Sequence, residues 1–239
     1  MQTVSALMAA LRDGINRPRK QTQLIQTAST WNMLCSSMDV IEDAELAIQS
    51  YSQKLFPDDD GEKYLFVYGV LQALFSQQDA VTNLCAALRI PYTPDTRLKE
   101  VRDIRNDSIG HPTRRGGGKA VTYHFISRIT MRKAGFQLMS TSSDSGDSTF
   151  KDISITDLII QQHDSLQVAL STVLETLSQE EARHREMYKD QKLKDAFPDV
   201  LGYYFSKAME ATYGNRGMAY GAMHLGLIVE VLDELKSTL

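Results

Sequence analysis

The residues best suited to chemistry lie in one stretch, Val101 to Lys119, which reads V-R-D-I-R-N-D-S-I-G-H-P-T-R-R-G-G-G-K. Within it Arg105 and Asn106 are adjacent, and His111 follows after four intervening residues. An arginine, a neighbouring amide and a histidine can together cut a phosphodiester without a metal. Arginine presents a planar fork of N–H donors to phosphate oxygens. Histidine gives or takes a proton near neutral pH. The amide can orient the histidine or the phosphate. RNA carries its own nucleophile, the 2′-hydroxyl, so the protein need only move protons and stabilise charge growing on the phosphorus oxygens. The products would be a 2′,3′-cyclic phosphate and a 5′-hydroxyl. A single histidine cannot easily be base and acid on opposite sides of an in-line displacement, a difficulty that a dimer carrying a second copy resolves.

The spacing sets a structural condition. Positions six apart on a continuous α-helix do not share a face. Arg105 and His111 are expected to converge only if the helix ends between them. Gly110 allows the unusual backbone angles of such an ending, and Pro112 disfavours helical backbone at His111. The alternative is that Arg105 pairs with Asp103 or Asp107 on a solvated face and His111 is an ordinary loop residue. Arg102, Arg114, Arg115 and Lys119 are further cations placed to hold RNA phosphates. Seven basic residues fall between Arg114 and Lys151, including Arg128, Arg132 and Lys133, against Asp144, Asp147 and Asp152. A loop merely solubilised by its charges is the competing reading.

An R-N-x-x-x-x-H pattern closing a helix in a mainly α-helical chain resembles the HEPN family (higher eukaryote and prokaryote nucleotide-binding). That family's motif is an arginine, a polar residue directly after it, a short gap and a histidine; Arg105, Asn106 and His111 match all of it. The resemblance covers roughly Lys20 to Leu177. It implies a metal-independent endoribonuclease, with no cofactor, whose homodimer joins two motifs in one cleft. The associated settings are toxin or antiviral-defence systems, in which an antitoxin or another defence protein would be a partner. A non-catalytic HEPN-like module that binds RNA, a nucleotide or a partner is the second expectation. A purely structural helical dimer is the third.

The elements that must position the motif are mostly helical. Thr3 to Asp13 predicts a short helix, and Arg17, Arg19 and Lys20 a solvated basic turn. Gln21 to Gln53 predicts one long helix, with Trp31, Leu34, Met38, Ile41, Ala44 and Ile48 as its apolar stripe. Asp39, Glu42, Asp43 and Glu45 are expected on the solvated side. Phe56 to Gly61 is a turn whose last acidic residues cap a second long helix, Glu62 to Leu88; its spacing is not that of a calcium loop. Ile90 to Pro94 is a proline-bounded connector. The motif helix then runs from Asp95 or Thr96 to about Ser108.

Past the motif the apolar period becomes two. Tyr123 to Ile129, Phe136 to Ser140 and Phe150 to Ile155 predict a small antiparallel insertion at about residues 120–155. Thr156, as N-cap, opens a third long helix that reaches about Met187. Val200 to Tyr213 and Met218 to Leu239 predict two more helices, joined near Gly214-Asn215. Small residues at Gly217, Gly221, Ala222 and Gly226 suit close helix packing, within or between subunits. The fold class is mainly α: a helical bundle of HEPN type with a small antiparallel β insertion and extra C-terminal helices. Residues 1–189 form the bundle and residues 190–239 an extension packed on it.

Composition narrows the class of function. The 239 residues are 42% hydrophobic and 23% charged with a net charge of −4, so RNA binding must come from a local patch. Gly116 to Lys119 is not a phosphate-binding P-loop, since Thr113 and Ala120 stand where glycine and a hydroxyl residue are needed. His184, in A-R-H-R-E, is not part of a zinc-binding H-E-x-x-H helix and is expected to be exposed. Cys35 and Cys85 sit in apolar helical patterns and read as buried thiols of a reducing compartment. No apolar run is long enough for a transmembrane helix, and the N-terminus makes a poor signal peptide. A cytoplasmic protein without a membrane partner is expected.

Overall fold

A computed structural model describes residues 2–116, 121–190, 200–213 and 218–238. The chain is mainly helical, with one three-stranded antiparallel sheet among the described residues. It divides into two compact units: Met1–Leu11 with Ser29–Glu175, and Arg12–Ala28 with Thr176–Leu239. No helix among the described residues is long and apolar enough to cross a membrane.

The first unit begins in α1 (Val4–Ile15), then holds α3 (Ala28–Gln53), α4 (Asp60–Ala87) and α5 (Thr96–Arg105). The segment expected as one helix from Gln21 is two: α2 (Pro18–Ile25) precedes a break at Gln26 and Thr27. Thr27, Ser29 and Thr30 crowd that break, and their hydroxyls compete for backbone partners. Asp59 caps α4 as expected, its carboxylate accepting from the Glu62 N–H at 2.9 Å. Asp95 caps α5 through the Arg97 N–H at 2.9 Å.

The sheet is ordered β1 (Thr122–Ile126), β2 (Gly135–Ser142), β3 (Ser148–Ser154). Alternation sends Phe136, Leu138 and Ile153 into the core, while Phe125 and Phe150, each paired with Met139, stay on the outer face. β3 runs straight into α6 (Ile155–Tyr188). The cap of α6 is Ser154, whose Oγ accepts from the Asp157 N–H at 3.2 Å, and not Thr156. Ile155, expected to precede the helix, is its first residue and fully buried.

One apolar cluster ties these parts together. It joins Ile48 and Tyr51 of α3, Leu71 and Leu74 of α4, Val101 and Ile104 of α5, the inner face of the sheet, and Leu158 of α6. The motif helix is therefore fixed by its apolar side. Its polar side is left to face outwards.

The core also holds a polar layer that corrects the reading of Glu45. That residue is 6% exposed, not solvated. Its Oε2 lies 3.1 Å from His163 Nε2 and accepts from Gln77 Nε2 at 3.3 Å. Gln77 accepts in turn from Gln162, which accepts from Gln78 at 2.8 Å. Burial works to raise the Glu45 carboxyl, but the hydrogen bonds from His163, Gln49 and Gln77 outweigh it and hold the carboxyl below its ordinary value. The same bond to Glu45 raises His163, against its own burial.

In the second unit α2 is followed in sequence by the end of α6, then α7 (Val200–Tyr213) and α8 (Met218–Thr238). Arg19 and Lys20 are not a solvated turn: Arg19 binds Glu181 at 2.9 Å and Lys20 binds Glu180 at 2.5 Å. A Cβ on Gly221 would meet Ala211 Cβ at 2.9 Å, so this glycine lets α7 and α8 approach closely. The junction at Gly214-Asn215 and Gly217 lies outside the described residues. Cys85 is buried, which pushes its thiol up to about 11, and Cys35 is half-buried.

Candidate functional site

The motif helix ends at Gly110, between Arg105 and His111 as the spacing requires, but not as an ordinary α-helix. It widens. After Arg105 the chain makes a π-turn, Asn106–Gly110, closed by the His111 N–H donating to the Asn106 carbonyl at 2.7 Å. Such an insertion changes which side chains share a face without breaking the helix, and π-turns recur at functional sites. His111 then leaves the helix at φ −140°, ψ 45°, in keeping with Pro112 behind it.

Arg105 is held on three sides. Its Nε and Nη2 donate to Gln72 Oε1 at 3.2 and 2.7 Å, and its Nη1 donates to Asn106 Oδ1 at 3.0 Å. Its guanidinium carbon stands 4.2 Å from the centroid of the Phe75 ring, and that of Arg102 stands 4.1 Å from it. Gln72 and Phe75 lie on α4, and Gln72 is 33 residues from Arg105 in the chain. Three of the five guanidinium N–H groups are thus used, leaving one on each terminal nitrogen for an oxyanion.

Gly110 completes the seat, though not for the expected reason. Its φ is not positive. A Cβ there would instead come within 2.5 Å of Arg105 Nη1 and 3.1 Å of Asn106 Oδ1. The glycine makes room for the guanidinium. Asn106 orients the arginine: with Oδ1 on Nη1, its Nδ2 is the outward donor, and Nδ2 makes no hydrogen bond among the described residues. His111 is exposed, and its imidazole makes no hydrogen bond or ion pair among the described residues.

The acidic neighbours serve a different arginine. Asp103 and Asp107 do not pair with Arg105; they pair with Arg115. Arg115 Nη2 donates to Asp103 Oδ1 at 2.7 Å, and Arg115 Nε lies 2.8 Å from Asp107 Oδ1 as an ion pair whose N–H is not aimed at the oxygen. Hydrogen bonds from Lys99, then Arg115, hold the Asp103 carboxyl below its ordinary value despite partial burial. The Arg115 backbone also exchanges both hydrogen bonds with Thr122, at 2.9 and 2.8 Å. His124 sits behind Asp107, its Nε2 3.5 Å from Oδ1 and its Nδ1 2.8 Å from Ser140 Oγ. Arg115 is therefore a tether between the motif turn and the sheet.

The other expected phosphate-binding cations divide. Arg102 stacks on Phe75 and donates to Asp79 at 2.6 Å. Arg114 is exposed beside His111, its N–H donating to the His111 carbonyl at 3.3 Å. Arg128 and Arg132 are exposed, whereas Lys133 donates to the Lys54 carbonyl at 2.7 Å and Lys151 pairs with Glu100 at 3.1 Å. Lys119 lies outside the described residues.

The structure thus brings together Arg105, Asn106 and Gly110, seats the Arg105 guanidinium on Gln72 and Phe75, and places His111 directly after Gly110. Sequence reasoning missed Gln72, Phe75 and the role of Gly110. Gln72 is one of several polar residues on α4, with Ser76, Gln77, Gln78 and Asp79, so no local signal marked it. No family model matches the chain, and neither does any curated protein or solved structure.

Proposed function

We propose that this chain is a metal-independent endoribonuclease of HEPN type. The observation that carries the reading is the seat of Arg105: a guanidinium fixed by neutral acceptors and an aromatic ring, with two N–H groups unused among the described residues, six positions before an exposed histidine. No carboxylate among the described residues pairs with it, so the charge is available to a phosphate. Arg105 would stabilise the oxyanions of the transition state. Asn106 would fix Arg105 through Oδ1 and offer Nδ2 to the same phosphate. His111 would take the 2′-hydroxyl proton or protonate the leaving 5′-oxygen. A second copy of the chain would supply the other histidine. The resemblance would set such an activity in a toxin or defence system.

The test is incubation of wild-type and His111→Ala chains with total RNA in EDTA, with the fragment ends identified. Cyclic-phosphate ends from wild type alone support the reading. Absence of cleavage by folded, dimeric wild type counts against it. One observation favours a second reading, a non-catalytic RNA-binding module: Asn106 Oδ1 is committed to Arg105 and does not position His111. That module would bind RNA equally well after His111→Ala.

A further inference from the structure

A cavity of about 480 Å³ opens beside α5, one turn before Arg105. Gln78, Asp79 and Thr82 of α4, Tyr92 of the connector, and Leu98 and Arg102 of α5 line it. Its size is within the roughly 300–1,000 Å³ of small-molecule sites. Arg102 belongs both to this cavity and to the cationic seat, because it and Arg105 share the Phe75 ring. Residues three apart on a helix are about 5 Å apart along its axis. The cavity is therefore one helical turn from the guanidinium that would hold the scissile phosphate.

Its lining is mixed in a useful way. Tyr92 is an aromatic surface of the kind on which bases stack. Leu98 is apolar and buried. Asp79 is half exposed; its Oδ1 accepts from Arg102, and its Oδ2 takes no hydrogen bond among the described residues. A carboxylate only accepts, so it selects a base edge rich in N–H donors. A second cavity, of about 330 Å³, shares Tyr92 and Asp95 but is walled by Cys85, Ile90 and Val168 and includes neither Arg102 nor Arg105.

We propose that the larger cavity is a base-binding subsite for the ribonucleotide next to the scissile phosphate, with Tyr92 as the stacking surface and Asp79 as the acceptor for the donor edge of guanine. The choice of a ribonucleotide rests on the ribonuclease reading. Guanine presents N1–H and an exocyclic amino group together, which one carboxylate can engage. Uracil has a single ring N–H between two carbonyls, one of which would face the Asp79 carboxylate.

The test uses the full chain and mononucleotides, so it does not need cleavage. Guanosine 3′-monophosphate and uridine 3′-monophosphate are titrated by calorimetry into wild type, Tyr92→Leu and Asp79→Asn, with RNA cleavage assayed in parallel. The expected result is that the guanosine nucleotide binds wild type at least tenfold more tightly. Asp79→Asn, a change at an exposed position that should fold normally, should reduce that preference to threefold or less. Tyr92→Leu should weaken both nucleotides about tenfold. RNA cleavage by wild type without mononucleotide binding, or with binding indifferent to both substitutions, overturns the subsite and leaves the nuclease reading standing. Binding that depends on Tyr92 and Asp79 in a chain that cleaves no RNA supports the subsite and rejects the nuclease.

Discussion

Two arginines of one stretch, Arg105 and Arg115, are ten positions apart and do opposite things with the same charge. Arg115 faces two carboxylates, Asp103 and Asp107, and joins the motif turn to the sheet. Arg105 faces two amide oxygens and the Phe75 ring. A carboxylate neutralises a guanidinium; an amide oxygen only aims it. The partner, more than the cation, decides which arginine is left to bind an anion. The Glu45–His163 pair in the core belongs with Arg115, since each group there compensates the other.

The contrast is sharpest in Arg105→Ala against Arg115→Ala. On the ribonuclease reading, Arg105→Ala should lower RNA cleavage by about 10²- to 10³-fold with the melting temperature nearly unchanged. Arg115→Ala should do the reverse. Cleavage per folded molecule should hold, while stability falls by about 1 kcal/mol, or roughly 2–4 °C in melting temperature. Loss of cleavage in Arg115→Ala at unchanged melting temperature would end the distinction. Core compensation is probed by Glu45→Ala, which leaves His163 without its carboxylate and Gln77 with only the Ile41 carbonyl as acceptor, and should cost about 3 kcal/mol in urea unfolding. A loss below about 0.5 kcal/mol would mean the layer does not depend on its charge.

Gly110→Ala tests the seat without touching a functional group. Its Cβ would strike Arg105 Nη1, and cleavage should fall about tenfold, some 1.4 kcal/mol, with little change in stability. Activity equal to wild type would mean that the guanidinium tolerates being moved. The mildest test is pH. Glu45 is lowered from 4.5, so its contribution to stability is present above that value and is lost as pH falls through its folded pKa. His163 is raised from 6.5, so its contribution is present below that value and is lost as pH rises through its folded pKa. Unfolding free energy should therefore peak between about 4.5 and 6.5, relative to a His163→Gln variant, for this pair's share.

What could be read from the sequence follows from what is local. Long apolar stripes located α3, α4 and α6, and alternation located the three strands, because periodicity is written residue by residue. The acidic cap before α4 and the start of α5 at Asp95 or Thr96 were legible for the same reason, whereas the cap of α6 was misplaced from Ser154 to Thr156. Glu45 could have been read correctly. It falls between Ile41 and Ile48 at helical spacing, on the stripe and not beside it. Assigning charge to the solvated face by type alone overrode position. The seat of Arg105 was not legible, since Gln72 and Phe75 come from another helix and only tertiary packing selects them. Nor could spacing show that the helix widens before it stops at Gly110, and the carboxylates of Arg115 were candidates for Arg105 until the sheet fixed the loop.

The π-turn has a further consequence in terms of chain length. A widened turn is an α-helix holding one surplus residue. Removing Ser108 would let the helix close up in the ordinary way: the His111 N–H would reach the same Asn106 carbonyl from four residues on instead of five, and the chain beyond it would keep its place. What would change is the turn itself: Ile109, now packed against the core, and Gly110, now beside the Arg105 guanidinium, would be re-placed while His111 stayed. The arrangement at the end of α5 is therefore encoded in a single-residue difference in length, and a deletion too small to disturb the fold's element order would be enough to erase it.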